Sequence, residues 1–156
     1  MMTDNCQKQW QHLVDCHKAF SLALQDFLIE MDECNRILVM KHALMGRERS
    51  TAIYLLQYLK PTETVQLFNE LVFLASFSHG AIQAVRDAIL AMPRNFVVDT
   101  IEQAAEPCLE NGTYDEYRRL LELYSSLDKA LTKKLAERAI RHEDKDIREA
   151  GKDFLM

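Results

Sequence analysis

The chain has 156 residues with a formal charge of -5, and its 48% hydrophobic and 28% charged content lies in the range of an ordinary globular protein, which excludes wholesale disorder. Four glycines and three prolines are too few for the many tight turns of an all-β protein, while abundant Leu, Ala, Glu, Lys and Arg favour helix. Residues 1–78 carry 7 basic and 9 acidic side chains and residues 79–156 carry 12 and 15, so neither half is a basic block and the charge argues against nucleic acid.

Asp4 or Asn5 can cap a first helix whose apolar positions run Trp10, Leu13, Val14, His17, Phe20, Leu24, Phe27, Leu28 and Met31. The pattern continues to Met45 without Gly or Pro, so one very long helix competes with two joined near Glu30–Asn35; the break is preferred, with Asp32 or Asn35 capping the second. Gly46 ends that helix, and a short one follows from about Ser50 through Ile53, Leu55, Leu56 and Leu59. Lys60-Pro61 stops it, because the residue before proline is pushed out of helical space, and Thr62 is expected to cap a helix burying Val65 to Ala75. Ser78-His79-Gly80 leads into a helix over Ala81–Met92, and the next covers Asn95–Leu109, with Pro107 expected to kink or end it near Glu106. Thr113 with Glu116 matches a capping box before Tyr114–Tyr124, and helices over Asp128–Arg141 and Lys145–Leu155 complete the chain.

An arginine-centred phrase recurs on this helical ground: Glu48-Arg49-Ser50-Thr51-Ala52-Ile53, Val85-Arg86-Asp87-Ala88-Ile89, Tyr117-Arg118-Arg119-Leu120-Leu121 and Ile147-Arg148-Glu149-Ala150. Its arginines lie at 49, 86, 118 and 148, intervals of the size that mark stacked helical hairpins, each too small to bury its own apolar face. The last unit, with the acidic turn His142-Glu143-Asp144 before a branched residue, Arg and a small residue, resembles a HEAT-like repeat. The likeness covers roughly residues 35–156 and implies a right-handed α-solenoid of antiparallel hairpins presenting second helices to a protein partner. A compact helical bundle is the alternative architecture. One helical-repeat domain over 1–156 is expected, with residues 1–34 as an N-terminal capping helix.

Candidates for chemistry are sparse. His12 and Cys16 have the i, i+4 spacing that lets two side chains share a metal, but a structural zinc normally needs four ligands, and Cys6 lies ten residues from Cys16, about 15 Å along a helix. His17 falls on the apolar stripe. Glu30, Asp32 and Glu33 lack the Glu-x-x-His pattern of carboxylate-bridged metal bundles and read as an acidic helix junction. No phosphate-cradling glycine loop, HExxH or GxSxG string occurs. Cys16 and His17, adjacent on a helix, point apart, so a Cys–His couple is not expected there. Cys108, after Pro107, reads as a small buried residue.

Tyr54 and Tyr58 differ, since Ile53, Leu55, Leu56 and Leu59 account for the inward face of their helix and leave the two phenols outside, and amphipathic aromatics and Arg dominate binding hot spots; the commoner outcome for such residues is that they cover a neighbouring repeat and stay mostly buried. The expectation is therefore a non-catalytic protein–protein interaction module, an adaptor or regulator with an unidentified protein partner, contacted through Tyr54, Tyr58, Arg86, Arg118 and Arg148. No catalytic residue, metal or cofactor is expected. The alternative is a HEAT-like enzyme or ligand-handling protein, lyase-like or repair-like, using its groove. The arginines also have a purely structural reading, as partners of acids such as Asp87, Asp115, Asp144 or Asp146 in an adjacent repeat. No apolar run spans a bilayer and no basic leader opens the chain, which suggests a cytoplasmic protein without membrane contact. The first amphipathic stretch offers a route to a homodimer.

Overall fold

The computed structural model describes residues 4–155, which are all-helical: α1 Asp4–Ile29, α2 Glu33–Met45, α3 Arg49–Leu55, a 3-10 turn Leu56–Tyr58, α4 Pro61–Val65, α5 Phe68–Ala75, α6 Ile82–Leu90, α7 Arg94–Glu110, α8 Tyr114–Leu127, α9 Lys129–Ala139 and α10 Lys145–Asp153. Among the described residues no strand occurs and no helix is long and apolar enough to cross a membrane. The chain divides into two compact units, Met1–Val39 and Met40–Met156.

In the first unit the long amphipathic stretch is broken at 30–32. Asp32 makes the break: its carboxylate accepts from the Asn35 backbone N–H at 3.1 Å and from the Asn35 amide at 2.6 Å, and those bonds hold its pKa below the ordinary carboxylate value. Arg36 then folds back and donates to the carbonyls of Leu28 at 3.1 Å and Met31 at 2.5 Å. A cation on the last carbonyls of α1 satisfies orphan acceptors and suits the negative end of the helix. Arg36 is only 4% exposed, and nothing in its sequence surroundings marked it for this role.

The second unit is organised by local stop and start signals. Gly46 follows the last residue of α2. Pro61 occupies the first position of α4, where its missing N–H costs nothing, and the Lys60 N–H bonds the Glu63 carboxylate at 2.8 Å. Thr62 is thus inside the helix, not its cap. The single helix expected over Val65–Ala75 is two, α4 and α5, parted at Gln66-Leu67. Pro107 neither ends α7 nor stops it short: the helix runs through to Glu110. The proline removes one N–H in the final turns, and the carbonyl it would have bonded belongs to Gln103, an exposed residue that solvent can serve.

Three caps fix the C-terminal half. The Thr113 N–H donates to Glu116 at 2.7 Å while Thr113 Oγ1 accepts from the Asp115 N–H at 3.3 Å. Asp128 accepts from Ala130 and Leu131, and Asp144 from Asp146 and Ile147. Such caps each contribute about 1 kcal/mol. With Asp128 as the sole connector between α8 and α9, that one residue both ends a helix and begins the next.

Packing joins near neighbours in chain order: α5 meets α6 and α7, α8 meets α7, α9 and α10, and α9 meets α10. The core of this unit includes Leu71, Val85, Ile101, Leu120, Leu121 and Ile147, each at most 1% exposed. Gly151 lets α10 approach α9 closely, since a Cβ there would sit 2.8 Å from the Ala136 carbonyl oxygen. A further regularity lies in the polar ties. Ser78 to Asp115, Arg86 to Glu122, Arg94 to Asp128 and Arg118 to Asp153 join residues 37, 36, 34 and 35 apart, and Lys134 to Glu102 and Arg138 to Glu106 both span 32.

Candidate functional site

The candidate site is a groove of about 520 Å³ in the second unit, with α3, the 3-10 turn and α4 on one side and α6 on the other. Its first wall carries Ile53, Leu56, Leu59 and Pro61. Its second wall is made by what α6 lacks: Ala84, Ala88 and Ala91 recur at i, i+4 and i+7, so one flank of the helix has no side chain large enough to fill the space. Val85 and Ile89, on the other flank, are buried in the core. The sequence carried this signal as a stripe of alanines, which reads equally well as close helix packing.

Among the described residues, Asp87 is the one charged side chain lining the groove. It is exposed, and the Gln83 amide donates to it at 2.8 Å. Tyr54 lies at the groove, 50% exposed, with its hydroxyl 3.2 Å from that of Tyr58, which is 40% exposed. The rings lie 5.8 Å apart and tilted, one helical turn from each other. The hydrogen bond from the Tyr54 hydroxyl pushes the Tyr58 phenol above its usual pKa, which keeps that phenol protonated.

The three predicted arginines lie elsewhere and are engaged within the chain. Arg86 donates to Glu122 at 2.7 Å and to the Arg119 carbonyl at 3.2 Å. Arg118 reaches Asp153 at 2.5 Å and Glu122 at 3.4 Å, with its guanidinium over the Phe154 ring. Arg148 closes the turn before α10 through the carbonyls of His142 and Glu143. Arg86 and Arg118 thus pair with acids 36 and 35 residues away, and those acids are Glu122 and Asp153, not the aspartates the sequence offered. Glu122 is the hub. Burial alone would raise its pKa, but the bond from Arg86 and the charges of Arg119 and Arg86 outweigh that and lower it. Sequence reading passed over Glu122, which lies one residue outside the arginine phrase and carries no motif.

A second hollow, about 450 Å³, lies among α7, α8 and α9, rimmed by Glu102, Glu106, Lys134 and Arg138. Arg138 grips Glu106 through two bonds, at 2.7 and 2.9 Å, and Lys134 bonds Glu102 at 3.0 Å, so its charges are already matched. Burial raises the pKa of Tyr124, which stays protonated against the floor.

The thiols and histidines do not assemble. Cys16 Sγ lies 3.7 Å from His12 Nε2 on exposed surface, and no group of three or more His, Cys, Asp or Glu among the described residues is placed to hold a metal. Cys108 is half-buried, and burial pushes its thiol pKa up, away from reactivity. No protein-family model, curated protein or solved structure matches this chain.

Proposed function

We propose that the chain is a non-catalytic protein-interaction module, built as a short α-solenoid similar to HEAT-like repeats, that receives an apolar helical segment of a partner protein in the α3–α6 groove. Support for the repeat architecture comes from helices that pack chiefly on their next and next-but-one neighbours and from side-chain ties that span 32 to 37 residues, close to the spacing of the arginine phrase. The observation that carries the binding role is the groove itself: apolar walls, one acidic residue, and two half-exposed phenols beside it. Its occupant presents apolar side chains one turn apart and a lysine or arginine opposite Asp87. Tyr54 and Tyr58 form the amphipathic rim. Arg86, Arg118 and Arg148 belong to this reading as further contact residues with the smaller share, because each guanidinium already donates to partners inside the chain. Four free cysteines fit a reducing compartment, and we place the protein in the cytoplasm.

A displayed library of helical peptides selected against the folded protein tests this. Enriched peptides should be amphipathic with one basic residue, and should lose at least about tenfold in affinity against Ala88→Trp, which fills the groove, and against Asp87→Asn. Peptides indifferent to Ala88→Trp, or no enrichment, would sink the reading. A cavity of this size also suits a small ligand, the rival reading; that would show as a small molecule co-purifying with the wild type and lost on Ala88→Trp.

A further inference from the structure

Helix α6 turns three faces to different surroundings. Val85 and Ile89 enter the core, Arg86 crosses to α8 and donates to Glu122, and Ala84, Ala88 and Ala91 border the groove. At about 100° per residue, Asp87 falls on one border of that alanine stripe, and Gln83 lies about 40° further round, away from the groove. The Gln83 amide donates to Asp87 Oδ1 at 2.8 Å, one helical turn along the same helix. Among the described residues, Asp87 Oδ2 accepts no bond and no cation pairs with the carboxylate. The acid is therefore held from its outer side through one oxygen, and the other is left for an occupant of the groove.

We propose that Gln83 sets which cation Asp87 accepts, so that the basic residue of the occupant is a lysine and not an arginine. The inference rests on the reading of the groove as a docking site for a helical segment. Arginine gains most from a carboxylate through two parallel N–H bonds, one to each oxygen. With Oδ1 taken by the Gln83 amide, that fork closes only if Gln83 is displaced. A guanidinium on one oxygen alone forfeits the paired geometry that favours it. A lysine ammonium is a compact point charge that needs only Oδ2, and because Asp87 is exposed, water stays within reach of its remaining donors. The lysine stem meanwhile packs along the small side chains of the alanine stripe.

The probe is a displayed library of helical peptides with one polar position randomised equally among Lys, Arg and Gln. It is selected separately against wild type, Gln83→Leu and Asp87→Asn, and only peptides that lose binding to Ala88→Trp are counted. Wild type should enrich Lys over Arg by about fivefold or more. Gln83→Leu frees both oxygens of Asp87 and should bring Arg level with Lys or ahead of it, and Gln83→Ala should behave alike. Asp87→Asn should remove the preference of either cation over Gln. Gln83 is exposed, so the melting temperature of its variants should match that of wild type. Arg equal to or ahead of Lys on wild type, or a Lys preference that survives both Gln83 variants, would overturn the role of Gln83 and leave the groove as a docking site. If no enriched peptide is sensitive to Ala88→Trp, the groove reading falls and this inference falls with it.

Discussion

Helices α1 and α8 are both amphipathic, yet they fare differently. α8 is 14 residues long and buries six of them: Tyr117, Leu120, Leu121, Leu123, Tyr124 and Leu127. α1 is nearly twice as long and buries none. Periodicity marks an apolar face, but it does not say whether the same chain supplies the cover. In α8 the cover comes from α7, α9 and α10, and its polar edge is tied down by Arg86, Arg118 and Arg119 around Glu122. A helix covered by its own neighbours is a stability element, and substitutions on its apolar face should cost more than those on a face with no buried residue.

That contrast can be broken or sharpened by substitution. Leu121→Ala in α8 should cost the most, about 2–5 kcal/mol in urea or thermal denaturation, because a fully buried leucine leaves a cavity. Gly151→Ala should follow at about 1–3 kcal/mol, since the added methyl meets the Ala136 carbonyl and the Ala139 Cβ, and α10 must shift from α9. If Gly151→Ala left the melting temperature unchanged, the close approach would be wrong.

Glu122→Gln should cost about 1–2 kcal/mol, tempered by the 26% exposure of the carboxylate. Its pH signature is specific. Glu122 and Glu106 have folded pKa values below their ordinary 4.5, so the stability they contribute is complete above about pH 4.5 and is lost as pH falls through the lowered values. Wild type should therefore lose stability from pH 5 downward more steeply than Glu122→Gln, and parallel acid profiles would remove the hub role. Smallest of all, Leu13→Ala at low protein concentration should change stability by less than about 0.5 kcal/mol. A loss comparable to that of Leu121→Ala would erase the distinction between the two helices.

Much of the local structure was legible. The break at Asp32, the stop at Gly46 and the Thr113–Glu116 box all follow from signals acting within one helical turn, whereas the exposure of Tyr54 and Tyr58 depended on what packs beside them. The misreadings have equally local causes. Thr62 looked like a cap because Pro61 was read as a terminator, whereas proline suits the first position of α4. Pro107 looked like a kink or an end near Glu106, but close to a helix terminus it removes only one hydrogen bond and α7 runs on to Glu110. Of the candidate site, the two tyrosines were visible in advance; Asp87 and the alanine flank were not, because a groove is defined by missing volume and that depends on what packs opposite.

The sequence by itself determined an all-helical chain, the position of most helix ends and an arginine phrase recurring every 30 to 37 residues, because capping and hydrophobic period are set by neighbours within about four positions. Tertiary structure alone decided that Arg86 takes Glu122 and Arg118 takes Asp153, that α10 needs Gly151, and that Ala84, Ala88 and Ala91 border open space. Those outcomes depend on which surfaces of different helices meet, from Ala139 and Gly151 to Arg86 and Glu122. Such side chains become neighbours only after the helices have packed.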